Sequence, residues 1–316
     1  MNILIHLGYS KTGSSYIQSA VAKTDLANHG IAYPIDEPSR KSALSGKITS
    51  GNFWPRPGAL ETIVTCGMKS GLQEMLISSE SIFDVAAAPE SKFFDHLLSL
   101  DPEARIRAIC FVRDPIDHAV SVYQQMVKRG GYFGTLGESL DKYDVVQKCV
   151  NAFARMHSYG AELTVLNYSR HEKVVLSRME EWLRVPEGTL ERPAVERVNR
   201  SLTRAELKFQ IEFNKRFGAA ASRIVSDPLC NDIPEVESEV PDVELPDVLK
   251  FAKRMRAEIS SAGFERFMPK DEFPKLPGDK EIRKRFSSSG RERVFGLTSR
   301  QIEVLVKEIV LGLPKL

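Results

Sequence analysis

The sequence has few cysteines and little excess of charge of either sign. Its cysteines are widely separated, with no CxxC pair and no histidines at metal-ligand spacing, so we expect neither a disulfide framework nor a zinc site. The cysteines are Cys66, Cys110, Cys149 and Cys230. A formal net charge of +2 argues against nucleic acid or a membrane surface as a partner, and it leaves room for a local anion site.

Long apolar runs are also missing. The run at residues 3–7 is too short for a signal peptide, and no run approaches the roughly 20 apolar residues that cross a bilayer. We therefore expect a cytoplasmic protein without a transmembrane segment. With 316 residues, of which 42% are hydrophobic and 27% charged, the chain can form one large α/β domain or a core with an appended lobe.

Short apolar runs alternate with stretches of helical spacing. The runs cover residues 3–7, 75–77, 106–112 and 163–166, and the clearest helical patterns cover residues 17–26, 93–100 and 116–127. Such alternation predicts a mostly parallel central sheet that helices cover on both faces. We expect a three-layer α/β fold of the P-loop NTPase type.

Two segments interrupt this pattern. Residues 34–57 are rich in Ser, Gly and Pro and carry Phe53 and Trp54, which predicts a mobile loop that either serves function or is a plain surface excursion. Residues 231–248 hold seven acids, three prolines and no Lys or Arg. That composition predicts an extended, solvated linker or surface flap.

A glycine-containing loop, GYSKTGSS at residues 8–15, joins the first strand to the first helix. Backbone N–H groups and the helix dipole at such a transition form an anion site, and Lys11 adds a positive charge. The loop differs from the nucleoside triphosphate pattern GxxxxGK[ST], in which lysine follows the second glycine and a hydroxyl holds Mg²⁺. Here Ser14 follows Gly13, and Lys11 lies inside the loop. An ordinary βα turn is the alternative interpretation.

A second candidate anion site begins at Arg113, where the predicted strand 106–112 ends. Asp114 suits a helix N-cap and Pro115 suits the first helical position, so a helix should begin there. Ser121 then lies two turns into that helix, where it and Arg113 can converge on one anion. A surface salt bridge is the alternative role for Arg113.

These motifs resemble those of the PAPS-dependent sulfotransferases, in particular bacterial members. KTGSS at residues 11–15 is similar to the Lys-Thr-Gly-Thr-Thr form of their 5′-phosphosulfate loop, and FVRDPIDHAVSVY at residues 111–123 is similar to their 3′-phosphate motif. A third likeness is FSSSGR at residues 286–291, with Gly290 in place of the usual asparagine. The cofactor-binding residues that the resemblance implies are Ser10, Lys11, Thr12, Gly13, Ser14, Ser15, Arg113, Ser121, Ser289 and Arg291.

The resemblance implies a sulfotransferase that uses 3′-phosphoadenosine 5′-phosphosulfate (PAPS), releases 3′-phosphoadenosine 5′-phosphate (PAP) and needs no metal. It further implies a single domain, with an α/β nucleotide-binding core over residues 1–168 and helical additions over residues 169–316. The acceptor, whether small molecule, glycan or lipid, is not fixed by the sequence. Residues 198–203 also resemble a family segment, but we interpret Thr203 and Glu206 as a helix capping box.

The resemblance implies a histidine or glutamate as the base that takes the acceptor proton. Glu80 follows the apolar run 75–77 and so occupies the edge where open α/β sheets bind ligands. Lys11 and Glu80 are therefore the expected catalytic residues. Alternatively, Glu80 caps the following turn or pairs with a basic residue. Weaker candidates for the base are Asp84, His118 and His6.

Two other functions stay open at this point. A P-loop kinase or NTPase would need lysine after the second glycine and a Mg²⁺ ligand. A nucleotide-binding scaffold would bind without turnover. Tyr168 and the pair Phe53 and Trp54 either line an acceptor site or serve as aromatic packing.

Overall fold

The computed structural model describes residues 1–45, 51–193, 200–237, 239–286 and 296–312. In these residues the chain forms an all-parallel sheet of five strands in the order β2-β3-β1-β4-β5. The strands are β1 Asn2–Leu7, β2 Ile31–Ala32, β3 Glu74–Ser79, β4 Arg105–Val112 and β5 Glu162–Asn167. Helices flank the sheet, and the predicted three-layer α/β class is confirmed.

The helices are α1 Ser14–Lys23, α2 Glu37–Leu44, α3 Ala59–Lys69, α4 Glu80–Ala87, α5 Phe93–Leu100, α6 Pro115–Gly130, α7 Leu136–Asp141, α8 Val145–Ser158, α9 Tyr168–His171, α10 Val175–Leu183, α11 Arg204–Phe217, α12 Ser226–Asp232, α13 Leu245–Ser261, α14 Asp279–Phe286 and α15 Ser299–Gly312. Within the described ranges, no helix is both long and apolar enough to cross a membrane.

The chain divides into two compact units. The sheet unit comprises Met1–Asp114, Asp144–Val198 and Glu258–Pro274, and the helical unit comprises Pro115–Tyr143, Asn199–Ala257 and Lys275–Leu316. The two units interleave along the sequence. All five strands belong to the sheet unit.

The central strands are continuous apolar runs because parallel strands covered on both faces expose almost no side chains. In β1, for example, Ile3, Ile5 and Leu7 are each 0% exposed. On one face, side chains of β1, β3 and β4 pack with Ile17 of α1 and Met179 of α10 in a single apolar cluster. This cluster stabilises the sheet, and the loops after β1, β3 and β4 begin at the ends of its strands.

The prediction of a mobile loop over residues 34–57 is wrong for the part that forms α2. Asp36 caps that helix by accepting a hydrogen bond from the Ser39 N–H at 2.7 Å, and a proline occupies its first turn. Phe53 is buried, with its ring centroid 5.4 Å from that of Phe93. Trp54, by contrast, is 60% exposed.

Most acids of the segment 231–248 are exposed, as expected for a solvated surface segment, but Arg204 and Lys208 of the helical unit bind part of it. Glu239 accepts a hydrogen bond from the Arg204 N–H at 2.9 Å, and Arg204 donates from Nε to the Val240 carbonyl at 2.6 Å. Asp242 forms ion pairs with Arg204 at 3.5 Å and Lys208 at 3.0 Å. The ends of the segment are helical, in α12 and α13.

A buried ion pair organises the start of α11. Thr203 and Glu206 form the predicted capping box, and Arg200 donates two hydrogen bonds of 2.8 Å to the Glu206 carboxylate. Burial alone would raise the pKa of Glu206, but the hydrogen bonds from Arg200 and Thr203 bring it below its ordinary value. The residues before Thr203 therefore stabilise the helical unit.

Candidate functional site

The loop after β1 lies directly against the beginning of α4. The Gly8 N–H donates to the Ser79 carbonyl at 2.9 Å, and a Cβ atom at Gly8 would lie 2.7 Å from the backbone nitrogen of Glu80. Only glycine permits so close an approach. The loop that carries Lys11 is thereby placed beside Glu80.

The loop holds two residues in left-handed backbone conformations. Lys11 has φ of 62° and Gly13 has φ of 77°. This conformation is costly for a residue with a side chain, and such strain is concentrated at functional sites. The Thr12 hydroxyl donates to the Tyr9 carbonyl at 2.6 Å, and the Ser14 hydroxyl donates to the same carbonyl at 3.3 Å. These internal hydrogen bonds hold the loop in its strained shape.

The beginning of α1 suits an anion. Gly13 is its N-cap, and among the described residues no side chain caps the helix there and no acidic residue lies in its first turn. The first N–H groups of a helix have no acceptor within the helix, and the dipole is positive at this end. An anionic group bound there would accept these hydrogen bonds.

Arg113 is hydrogen-bonded to this loop, and among the described residues no acid forms an ion pair with it. Its Nη1 donates to the Lys11 carbonyl at 3.0 Å, and its guanidinium carbon lies 5.7 Å from the centre of the Tyr168 ring. The same tyrosine ring has a carbon 2.9 Å from where a Cβ at Gly13 would lie. Two cationic residues, Lys11 and Arg113, therefore belong to one small region at the carboxyl ends of β1 and β4.

Tyr168 thus packs against the loop and Arg113, as the aromatic-packing alternative predicts. Burial, followed by the nearby Glu172 carboxylate, raises the pKa of Tyr168 to about 12, so its phenol is neutral at physiological pH. The ends of β4 and β5 are tied together here, because Asn167 donates to the Asp114 carboxylate at 2.9 Å and the Asp114 N–H donates to Ser169 at 3.1 Å. This arrangement positions Arg113.

Glu80 is the first residue of α4, but it does not cap that helix. Ser79 is the N-cap, and it accepts from the Ser81 N–H at 3.1 Å. Burial raises the pKa of Glu80 above its ordinary value, the positive charge of Lys11 opposes that shift, and Asp84 reinforces it. A carboxylate with a raised pKa beside a cation, at the ligand-binding edge of the sheet, is suited to general-base chemistry.

The remaining loop positions differ in exposure. Ser10 is exposed, Lys11 and Ser15 are partly buried, and Thr12 and Ser14 are buried. The Thr12 and Ser14 hydroxyls bond within the loop. Ser14 is also the first residue of α1, where N–H groups have no acceptor within the helix. Ser121 is partly buried and lies in the second turn of α6, in the helical unit. Ser289 and Arg291 lie outside the described residues.

The weaker candidates for the base divide into two kinds. His6 is 0% exposed, its Nδ1 lies 2.8 Å from the Ser78 hydroxyl, and burial lowers its pKa to about 4. His118 is also buried, with Nδ1 2.8 Å from the Tyr143 hydroxyl. Both are core histidines of their units. Asp84 lies one turn after Glu80 in α4, and burial raises its pKa.

The role of Asn52 was not predicted from the sequence. Its side chain donates to the Leu76 carbonyl and accepts from the Ser78 N–H, both at 2.9 Å, and its own N–H donates to the Ser78 carbonyl at 3.0 Å. These bonds attach the segment to β3 two residues before Glu80. Gly51 is required beside it, because its φ is 83° and a Cβ would collide with the Ser78 carbonyl.

This segment forms one wall of a cavity of about 940 Å³ in the sheet unit. The lining includes the aromatic residue Trp54 and the polar residues Asp36, Ser39, Arg56 and Thr62. An aromatic surface with a few polar groups is typical of small-molecule sites. Trp54 therefore lines a cavity, and whether that cavity binds the acceptor stays a prediction.

Comparison with known proteins returned no matching family model and no similar curated protein. The function is therefore inferred from the geometry of the loop, Arg113 and Glu80, and from the motifs at residues 11–15 and 111–123.

Proposed function

We propose that this protein is a sulfotransferase that moves a sulfuryl group from PAPS to a hydroxyl or amine of an acceptor. The observation that carries the proposal is the hydrogen bond from Arg113 to the Lys11 carbonyl. It joins the two motifs, which lie about a hundred residues apart in the sequence, at the edge of the sheet where Glu80 also lies. An isolated βα turn would not require such a partner.

In this proposal the donor's 5′-phosphosulfate lies on the first turn of α1 and beside Lys11. The resemblance assigns Arg113 and Ser121 to the 3′-phosphate and Ser289 and Arg291 to the nucleotide. The uncapped start of α1 and the positive charge of Lys11 fit an anionic group of this kind. PAP is the product that leaves this site.

During transfer, Glu80 accepts the acceptor's proton as the acceptor oxygen or nitrogen bonds to sulfur. Lys11 stabilises the negative charge that develops on the phosphate oxygen as the sulfur–oxygen bond to the donor breaks. A sulfuryl group carries less charge than a γ-phosphoryl group, so lysine and backbone donors suffice without Mg²⁺. The position of Lys11, inside the loop rather than after Gly13, favours this chemistry over that of a kinase.

Donor turnover by the wild-type protein tests the proposal. We expect release of PAP from sulfur-labelled PAPS in the presence of chelator, slowly with water as acceptor and faster with one member of a panel of glycans, lipids, phenols and amines. Free sulfate and labelled acceptor are measured together. Turnover of Mg²⁺-ATP instead would assign the protein to the kinases. Binding of PAP, without hydrolysis of PAPS above the uncatalysed rate, would indicate a nucleotide-binding scaffold.

A further inference from the structure

A second cavity in the sheet unit lies between the edge strand β5 and helix α10, and it has a volume of about 350 Å³. Its lining contains three arginines and three glutamates, together with four other residues: Arg107, Arg178, Arg184, Glu162, Glu181, Glu272, Thr164, Leu166, His171 and Trp182. Arg107 is the third residue of β4 and pairs in register with Glu162, the first residue of β5. The cavity extends along β5 to Leu166, near the carboxyl end of that strand, and Lys11, Arg113 and Glu80 are not among its lining residues.

Several hydrogen-bond donors on this lining have no acceptor. Arg107 is 6% exposed, and its Nε and Nη2 atoms are buried without a hydrogen-bond partner in the described part of the chain. The same holds for Nε of Arg178 and Nε1 of Trp182. All of these unpartnered atoms are donors. A buried donor without a partner costs about 1–3 kcal/mol, and native proteins satisfy nearly all of them.

The neighbouring acids do not satisfy these donors. Glu74 lies 3.9 Å from Arg107 Nη2, which is within ion-pair range and too far for a hydrogen bond. Arg178 uses Nη1 for Glu181 at 2.8 Å, and both side chains are largely exposed, at 42% and 70%. Exposed ion pairs of this kind contribute little free energy. The carboxylates of the lining have partners of their own: Glu162 pairs with Arg184 at 3.8 Å, Glu181 with Arg178, and Glu272 with His171 at 2.9 Å. In the described part of the chain, Arg107 Nε and Nη2 are left without a hydrogen-bond acceptor.

The two unpartnered donors of Arg107 lie side by side. Nε and Nη2 lie on one edge of a guanidinium, where they can bind two oxygens of one anion as a fork. The guanidinium carbon of Arg107 lies 5.3 Å from the centre of the Trp182 ring, and this cation–π contact holds the plane of the group in place. The fork is therefore preorganised before any ligand arrives.

We propose that this cavity binds a small oxyanion, a carboxylate, phosphate or sulfate group that the Nε–Nη2 fork of Arg107 holds and Arg178 and Trp182 assist. The volume admits a small metabolite and excludes a nucleotide-sized ligand. The site uses none of the residues assigned to the donor, so its test does not depend on the proposed transferase activity.

Trp182 itself provides the measurement. The chain has two tryptophans, Trp54 and Trp182, so the Trp54→Phe variant leaves Trp182 as the sole indole emitter. We titrate this variant with inorganic phosphate, sulfate and acetate in turn, with chloride adjusted to constant ionic strength. The expected result is a saturable change in emission with at least one anion. The three arms distinguish tetrahedral oxyanions from carboxylates.

Variants in the Trp54→Phe background locate the binding. Arg107→Gln should lower the affinity for the anion at least tenfold. Arg184 lies at the rim, and its side chain is 68% exposed, so Arg184→Gln should change the affinity less than threefold. Lys11→Ala should leave the titration unchanged, because the donor loop is a separate anion site. Thr164→Glu places a carboxylate in the cavity, so it should abolish the response and raise the thermal midpoint.

The folded state of each variant is checked by circular dichroism. If Arg107→Gln does not fold, Thr164→Glu decides the outcome. No saturable change with any of the three anions would overturn the proposal. So would a response that persists in Thr164→Glu, or one that disappears in Lys11→Ala.

Discussion

Replacing Lys11 with alanine is expected to lower the rate of sulfuryl transfer about 10²–10³-fold, the effect of removing one preorganised group that stabilises transition-state charge. Lys11 has φ of 62°, and alanine carries the same Cβ atom, so the variant keeps the backbone requirement and removes only the charged group. The loop should keep its shape, because its hydrogen bonds involve Thr12, Ser14 and Tyr9. The measurement is initial rate of PAP formation at saturating acceptor.

Lys11→Gly and Lys11→Arg are the matched controls. Glycine adopts positive φ without strain, so Lys11→Gly should raise the thermal midpoint relative to alanine while its activity stays equally low. Lys11→Arg keeps the charge and should recover part of the rate. If Lys11→Ala retained a rate within threefold of wild type, Lys11 would have no catalytic role.

The second large effect is expected for Glu80→Gln, which should lower the transfer rate about 10²–10⁴-fold, the usual contribution of a positioned general base. Glutamine keeps the shape of the side chain and cannot take a proton. A base acts in its ionised form, and burial raises the pKa of Glu80 above the ordinary value of 4.5. The wild-type rate should therefore fall on the acid side at a pH above 4.5, and Glu80→Gln should lack that limb.

The thermal stability of Glu80→Gln distinguishes a catalytic role of Glu80 from a structural role. An acid whose pKa is raised in the folded state binds its proton more tightly there than in the unfolded chain, so its contribution to stability falls as pH rises through that pKa. Glu80→Gln removes this penalty, and its thermal midpoint at pH 7 should equal or exceed that of wild type. A structural acid at the start of α4 would give a lower midpoint. A lower midpoint with a rate near wild type would exclude Glu80 as the base.

Most of the sheet was predictable because four of its strands are dense apolar runs that only a buried parallel strand explains. β2 was missed because it has two residues, Ile31–Ala32, and no periodicity can be recognised over two positions. α2 was missed although Asp36 and Pro38 are helix-start signals, because the surrounding Ser and Gly suggested a loop. The contacts that hold the acidic segment 231–248 could not be predicted because its partner, Arg204, lies well before it in the chain.

The candidate site was predictable only where local sequence dictates local geometry. The Lys11 loop and Arg113 were found from their motifs, but the hydrogen bond between them depends on the order of strands in the sheet. The attachment of Asn52 to β3 and the unpartnered donors of Arg107 also arise from tertiary contacts. Neither the attachment of Asn52 nor the unpartnered donors of Arg107 can be recognised from a pattern in a single sequence.

Calorimetric titration of the wild-type protein with PAP, compared with ATP plus Mg²⁺ and with ATP plus chelator, tests the central claim most directly. The proposed donor site predicts tight binding of PAP that does not depend on metal and is lost in Arg113→Ala, a variant that removes the contact to the Lys11 loop. Weak binding of ATP in either condition should accompany it. Binding of Mg²⁺-ATP in preference to PAP would contradict the claim, as would PAP binding that Arg113→Ala leaves unchanged.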